Sequence, residues 1–209
     1  MKPVRYGMIG GGQGAFIGGV HRTAARIAGN CELVAGAFSS TAEKSKASGA
    51  EIGVDPERTY GSWAEMLTAE KALPDDVRIE AVSIVRPNPM RPAPPIAALE
   101  AGFDVIIDKP LADSLANAMA IAEAAQRSGR RIAITHTYTG YPLVKQARRL
   151  IASGKFGKVR RVAVKYTQDW LSRAADLVDN KQAAWRGDPS QSGGGGAIGD
   201  IGTDAARLG

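Results

Sequence analysis

The fold of this chain is decided by residues 6–21, which read YGMIGGGQGAFIGGVH. A short apolar run leads into a cluster of glycines, and an apolar periodic segment leaves it. This order predicts a β-strand, a tight turn and the N-terminus of a helix. Glycine suits such a turn because it adopts positive φ and has no Cβ to keep a phosphate away from the backbone N–H groups. The stretch therefore predicts a dinucleotide-binding loop at the start of a doubly wound α/β domain.

The match to the pattern G-x-G-x-x-G is incomplete. Gly10 and Gly12 occupy the first two glycine positions, whereas Ala15 falls on the third. A longer turn would place the helix-packing glycine at Gly18. A glycine loop without a ligand is the alternative interpretation, but the position directly after the first strand favours a nucleotide. The residues expected to line the dinucleotide here are Gly10, Gly12, Gln13, Gly14, Ala15, Phe16 and Ile17.

The first 135 residues alternate between apolar runs and helical patterns. The apolar runs predict strands at 4–9, 32–38, 80–85, 103–108 and 131–135. The segments between them predict helices, among them 18–27, 63–67, 96–102, 114–127 and one that begins near Ala42. This order is typical of a Rossmann domain, a parallel sheet with helices on both faces. We assign residues 1–138 to it.

The residues after the second predicted strand bear on the choice of cofactor. An NAD-specific fold usually places Asp or Glu there to bind the ribose 2′-hydroxyl. This chain has Ser39, Ser40 and Thr41 instead, with Lys44 one helical turn later. Hydroxyls and a cation could accept a 2′-phosphate, so the pattern favours NADP over NAD. The alternative is that these hydroxyls cap the following helix.

A different pattern begins near residue 139. Residues 142–151 predict a helix, and residues 158–168 alternate between polar and apolar side chains. This alternation predicts a half-exposed strand of an antiparallel sheet. We therefore expect a second, α+β domain with a mostly antiparallel sheet over residues 139–209. It would be incomplete, because one strand cannot make a sheet.

Composition narrows the range of functions. The chain has 209 residues, of which 44% are apolar, enough for a sizeable core. It has one cysteine, no apolar run of membrane-spanning length and no apolar leader after Met1, which favours a cytoplasmic protein. The net charge of +6 is scattered, which argues against nucleic-acid binding. No His, Cys and carboxylate group has the spacing of metal ligands.

Four motifs occur in order along the chain. They are the glycine loop ending in Val20-His21, Pro87-Asn88, Asp108-Lys109-Pro110, and Gly199-Asp200-Ile201-Gly202-Thr203. Together they resemble the Gfo/Idh/MocA family, named for glucose-fructose oxidoreductase and inositol dehydrogenase, and residues 181–186 resemble one branch of it. The resemblance implies an NAD(P)-dependent oxidoreductase acting on a sugar, polyol or related hydroxyl or carbonyl compound. It also implies a homo-oligomer for a full-length relative.

The resemblance assigns roles to individual residues. It places the Lys109 ammonium beside the nicotinamide and the reacting hydroxyl, where a cation stabilises a developing alkoxide and can relay a proton. The alternative for Lys109 is an exposed lysine at a strand end. Asp200 would orient the substrate or the proton-transfer group, or cap the last helix. Pro87, Asn88 and His136 are expected beside the cofactor.

Three features depart from the family pattern. Asp204 stands where the family commonly carries the His that acts as general acid and base, and we take Asp204 as its candidate replacement. Arg91 stands where the family has a His in the turn after the third strand. Family members also continue well past residue 209, so we expect a truncated second domain. The alternatives are a nucleotide-binding protein without turnover and a structural partner that completes its sheet with another chain.

Overall fold

The computed structural model of the chain describes residues 2–86, 92–167 and 198–208. The chain divides into two compact units, Met1–Ile134 and Thr135–Gly209. The sequence placed this boundary four residues later, after residue 138.

The first unit is built on a five-stranded parallel sheet with the strand order β2-β1-β3-β4-β5. Its strands are β1 (Val4–Gly10), β2 (Cys31–Ala37), β3 (Ala81–Val85), β4 (Asp104–Ile107) and β5 (Ile132–Ile134). Its helices are α1 (Phe16–Ala28), α2 (Ala42–Ile52), α3 (Trp63–Ala72), α4 (Ala93–Glu100) and α5 (Leu115–Ser128). The predicted parallel α/β sheet is therefore confirmed.

Two apolar clusters hold helices against the sheet. The larger contains Leu99, Phe103 and Ile121, and Trp63 packs against it. The smaller contains Met8 and Phe38, together with apolar residues of α1. The central strands β1 and β3 are buried almost throughout. This is why they read as continuous apolar runs rather than as alternating patterns.

Helix α2 packs through polar and small residues. Its buried positions are Ser45, Ser48 and Gly49. The Ser45 hydroxyl accepts from the Phe38 N–H at 2.9 Å and donates to the Tyr60 carbonyl at 2.6 Å. At the start of the helix, the Thr41 hydroxyl accepts from the Lys44 N–H, which is the capping role foreseen as the alternative for this stretch.

A buried carboxylate fixes helix α3. Glu70 is fully buried and accepts hydrogen bonds from the Arg58 guanidinium, the Tyr60 hydroxyl and the Ile79 N–H. Each of these three partners lies outside α3. The carboxylate therefore joins the helix to the segment before it and to the residues that lead into β3.

The second unit contains a 3₁₀ turn (Thr137–Gly140), helix α6 (Pro142–Ala152), a π-helical turn (Ile198–Gly202) and helix α7 (Thr203–Leu208). Residues 158–167, predicted as a strand, form no strand in the part of the chain that is described. A strand needs a neighbour to satisfy its N–H and C=O groups, and the described residues supply none. Gln168 and the glycine-rich loop at 188–196 lie outside the described residues.

Within the three described ranges, no helix has both the length and the apolar character needed to cross a bilayer.

Candidate functional site

The glycine turn follows β1 as the sequence predicted. Gly10, Gly11 and Gly14 have φ angles of 82°, 75° and 72°, values that other residues rarely adopt. Helix α1 begins at Phe16, with Ala15 in the capping position and no acidic residue in its first turn. The first N–H groups of the helix and the positive end of its dipole therefore face the turn, and the first helical turn itself carries no carboxylate.

Two glycines allow the helices to approach this turn. A Cβ on Gly12 would lie 2.5 Å from Ser48 Oγ and 2.7 Å from the Phe38 carbonyl. A Cβ on Gly18 would lie 2.4 Å from the Gly11 Cα. Gly18, not position 15, is thus the residue at which α1 packs on the turn.

Hydrogen bonds fix the turn from both sides. The Gly12 N–H donates to the Phe38 carbonyl, and the Gln13 N–H donates to Ser48 Oγ, both at 3.1 Å. Arg22 of α1 donates to the Gly11 carbonyl at 2.7 Å. Sequence reasoning missed Ser48 and Arg22, because their role depends on how α1 and α2 pack.

A carboxylate also reaches this turn. The Gln13 side-chain amide donates to Glu51 of α2 at 2.7 Å. Ser39 is half-buried, whereas Ser40 and Lys44 are exposed. The sequence indicated no carboxylate near the second strand end, but folding brings Glu51 to the turn, although Glu51 lies 14 residues beyond the end of β2 at Ala37.

Lys109 follows β4 at the same edge of the sheet as the glycine turn. In the register of the sheet, Gly10 pairs with Val85, and Ile84 pairs with Ile107. The residue after Ile107 is therefore level with Gly10 and two strands away, about 10 Å. The Lys109-Pro110 peptide bond is cis, and Lys109 is half-buried.

Helix α1 contacts the end of β4 through His21. The Nδ1 of His21 lies 3.0 Å from Ser83 Oγ, and its Nε2 lies 3.9 Å from Asp108 Oδ1. The imidazole is 9% exposed. Both ring nitrogens face protein groups, so His21 joins the helix to β3 and to the end of β4, the strand that Lys109 follows.

Arg86 is a further cation at this edge. It follows β3, and its Cγ lies 3.2 Å from where a Cβ on Gly10 would stand. Partial burial lowers the pKa of Arg86 from its ordinary value. Sequence reasoning passed over it. The neighbouring candidates Pro87 and Asn88, together with Arg91, lie outside the described residues.

The second unit brings together two residues that were predicted separately. His136 Nδ1 lies 3.3 Å from Asp204 Oδ1, although 68 positions separate them. The Asp204 side chain is 3% exposed, and that of His136 is 19% exposed. Asp200, half-buried, lies in the π-helical turn just before α7. Among the described residues of both units, no three His, Cys, Asp or Glu side chains could hold a metal ion.

The parallel sheet and the glycine turn define a Rossmann-type α/β domain, and comparison with known proteins identifies its family. Residues 4–136 match the model of the oxidoreductase family with an NAD-binding Rossmann fold, and residues 144–205 match the C-terminal domain model of the same family. The chain belongs to the Gfo/Idh/MocA family, as its four motifs predicted.

Individual relatives and solved structures also support membership of this family. The chain is 37% identical over 205 residues to the uncharacterized oxidoreductase YfiI of Bacillus subtilis, covering 97% of this chain and 51% of YfiI. An inositol dehydrogenase homolog from Azotobacter vinelandii, solved with NAD⁺, has 36% identity and a TM-score of 0.92 over 99% of this chain and 52% of that one. A levoglucosan dehydrogenase solved with NADH and levoglucosan has 27% identity and a TM-score of 0.80, over 99% of this chain and 53% of that one. The chain spans about half the length of the curated relatives it matches.

Proposed function

We propose that this chain provides the cofactor-binding part, and the first segment of the substrate-binding part, of an NAD(P)-dependent oxidoreductase. The reaction would convert a hydroxyl group of a sugar, polyol or related compound to a carbonyl group, or the reverse. The glycine turn is the observation that carries this proposal. Gly10, Gly11 and Gly14 adopt positive φ, and a Cβ at Gly12 would fill the space against α2.

The residues at this edge of the sheet fit a dinucleotide. The first N–H groups of α1 would bind its diphosphate, and Arg22 keeps the Gly11 carbonyl turned toward the helix. Phe16 and Ile17 supply the first of those N–H groups. A nicotinamide cofactor bound there would supply or accept the hydride. Family relatives solved with NAD⁺ or NADH support this assignment.

Lys109 is the residue that we propose for charge stabilisation. It directly follows Asp108, which is level with Gly10 and about 10 Å from it across two strands, a distance that a dinucleotide can span. An ammonium group there would stabilise the negative charge that develops on the substrate oxygen. We propose Asp200 as a residue that orients the substrate, as the family resemblance implies.

For the cofactor we propose NADP, on the basis of Ser39, Ser40 and Lys44. Glu51 works against this choice, because a carboxylate beside the turn repels a 2′-phosphate. Titration of the purified chain with NADH and NADPH, followed by nicotinamide fluorescence, separates the two. Tighter binding of NADPH supports the proposal, and tighter binding of NADH refutes it.

The oxidoreductase proposal is tested with a panel of polyols and sugars that includes myo-inositol and levoglucosan, the compounds bound in two of the relatives. We expect turnover in the wild-type chain. Lys109→Met should keep cofactor affinity and lower kcat about 10²–10⁴-fold. Lys155→Met is the matched control, because Lys155 is exposed and lies in the second unit. Cofactor binding without turnover on any compound would instead favour a nucleotide-binding protein without catalysis.

A further inference from the structure

The two side chains of the His136–Asp204 pair in the second unit differ in their exposure to solvent. The Asp204 carboxylate is 3% exposed, whereas the His136 imidazole is 19% exposed. A substrate arriving from solvent can therefore reach the imidazole more readily than the carboxylate. This exposure argues against Asp204 as the group that exchanges a proton with substrate.

The contact between the two side chains also selects a tautomer. A carboxylate accepts hydrogen bonds, so the Asp204 oxygen 3.3 Å away favours the proton on His136 Nδ1. In the neutral ring, Nε2 then carries the lone pair and can accept a proton. Catalytic triads use the same arrangement, in which a buried carboxylate orients a histidine that moves the proton.

The backbone holds His136 in a defined place. Its carbonyl accepts from the Thr139 N–H at 3.1 Å and from the Thr139 hydroxyl at 2.8 Å. His136 directly precedes the 3₁₀ turn, and Asp204 lies in the first turn of α7. The ring is thus anchored from its backbone and from its Nδ1 edge.

The chain has two histidines, and the other one, His21, makes its contacts in the first unit. Its two ring nitrogens face Ser83 and Asp108 in the first unit. His136 is therefore the histidine whose second ring nitrogen is suited to proton transfer.

We propose that His136 is the proton-transfer residue of this chain and that Asp204 orients it. The inference rests on the oxidoreductase function proposed above. In the oxidative direction, the hydroxyl O–H bond of the substrate breaks and its proton passes to His136 Nε2. The O–H electron pair becomes part of the new carbonyl bond, and the hydride that leaves the carbon would go to an oxidised nicotinamide if the cofactor is bound. In the reductive direction the proton returns from Nε2 to the carbonyl oxygen.

The test removes the ring and then supplies it from solution. His136→Ala should lower kcat about 10²–10⁴-fold, the usual contribution of general acid–base catalysis. Free imidazole should raise the kcat of His136→Ala at least tenfold, because it occupies the space left by the side chain. Asp204→Asn should lower kcat as well, and imidazole should not restore it, because His136 is still present but in the wrong tautomer.

Thr137→Ala is the matched control, since Thr137 is the exposed neighbour of His136 in the same turn. It should retain wild-type kcat. Nicotinamide fluorescence and circular dichroism should show that all three variants fold and bind cofactor as the wild type does. That readout does not depend on turnover.

The outcomes separate the two proposals. Wild-type turnover with an unaffected His136→Ala variant overturns the role of His136 and leaves the oxidoreductase function standing. A loss of activity in His136→Ala that imidazole does not restore also overturns it, since a purely structural role gives that result. Absence of wild-type turnover together with absence of cofactor binding overturns both proposals. Cofactor binding without turnover overturns catalysis, and with it the proton-transfer role.

Discussion

The close approach of α1 to the glycine turn makes Gly18→Ala a sharp test of the site. A Cβ at position 18 would lie 2.4 Å from the Gly11 Cα and 2.4 Å from its carbonyl oxygen. Ordinary contacts between carbon atoms begin near 3.5 Å, so the helix or the turn must move by about 1 Å. The atoms in the way belong to backbone, which cannot rotate aside as a side chain would. Overpacking of this kind costs about 1–3 kcal/mol.

Gly19→Ala supplies the matched control one residue later in the same helix. A Cβ there meets only the end of the Arg22 side chain, at 3.9 Å. Both variants gain the same helix propensity, about 0.5–1 kcal/mol, when glycine becomes alanine. The difference between their free energies of unfolding therefore isolates the steric cost. We expect Gly19→Ala to stabilise the chain, and Gly18→Ala to be less stable than Gly19→Ala by about 1–3 kcal/mol.

Urea unfolding followed by circular dichroism measures that difference, and nicotinamide fluorescence measures its effect on cofactor binding. A displaced turn would lose at least one hydrogen bond to the proposed diphosphate, so affinity for the cofactor should fall about tenfold in Gly18→Ala. Gly19→Ala should bind as the wild type does. Equal stability of the two variants would refute the close packing of α1 on Gly11. Unequal stability with equal affinity would refute the diphosphate site.

Three further predictions concern buried polar groups of the first unit. Glu70→Gln should destabilise the chain by about 3–5 kcal/mol, because it leaves the Arg58 guanidinium without its anion, and urea unfolding measures this. Burial raises the pKa of Tyr60 from 10.0 to about 12, and Glu70 acts in the same direction. Because the pKa of Tyr60 is higher in the folded than in the unfolded chain, its contribution to the free energy of unfolding is complete below pH 10 and is lost between about pH 10 and 12. Tyr60→Phe should reduce the resulting slope of the free energy of unfolding against pH. Ser83→Ala should cost about 1–3 kcal/mol in thermal or urea unfolding, because it leaves His21 Nδ1 unsatisfied.

Two of these predictions, those for Glu70→Gln and Ser83→Ala, have a control in the chain. Glu57→Gln changes an exposed glutamate close to Arg58 and should alter stability by less than about 0.5 kcal/mol. Ser40→Ala, at an exposed serine, serves the same purpose for Ser83→Ala. A Glu70→Gln variant as stable as Glu57→Gln would show that the buried ion pair contributes nothing. A stability curve without a slope above pH 10 would contradict the raised pKa of Tyr60.

The fold of the first unit could be predicted from the sequence because the signals that define its strands and helices are local. The apolar run at 4–9, the glycines after it and the capping residue Ser114 each act within one turn or strand. The predicted bounds differ from the observed ones by one to three residues at most strand and helix ends. The strand predicted at 158–168 was not found in the described part, since pairing depends on partners that alternation in one segment cannot reveal.

The candidate site was predictable only in part, because several of its contacts join residues that are distant in the sequence. Gly10, Gly12 and Lys109 stand at the ends of strands, and a parallel sheet brings such ends to one edge. The bond from Gln13 to Ser48, and the one from Gln13 to Glu51, join positions 35 and 38 residues apart. The contact between His136 and Asp204 joins positions 68 apart. No spacing rule reaches that far, so these contacts required the folded chain.

The composition of the buried face of α2 has a consequence for how this helix opens. Because serine and glycine line that face, α2 is held by directed hydrogen bonds and exposes little apolar surface when it detaches. Its amide protons should therefore exchange with a shallow dependence on urea concentration, in contrast to the steep dependence expected for β1 and β3. Ser48 and Glu51 of α2 form one side of the proposed nucleotide site. This side would then open by local unfolding of α2 while the sheet stays folded, which would let cofactors enter without unfolding the core.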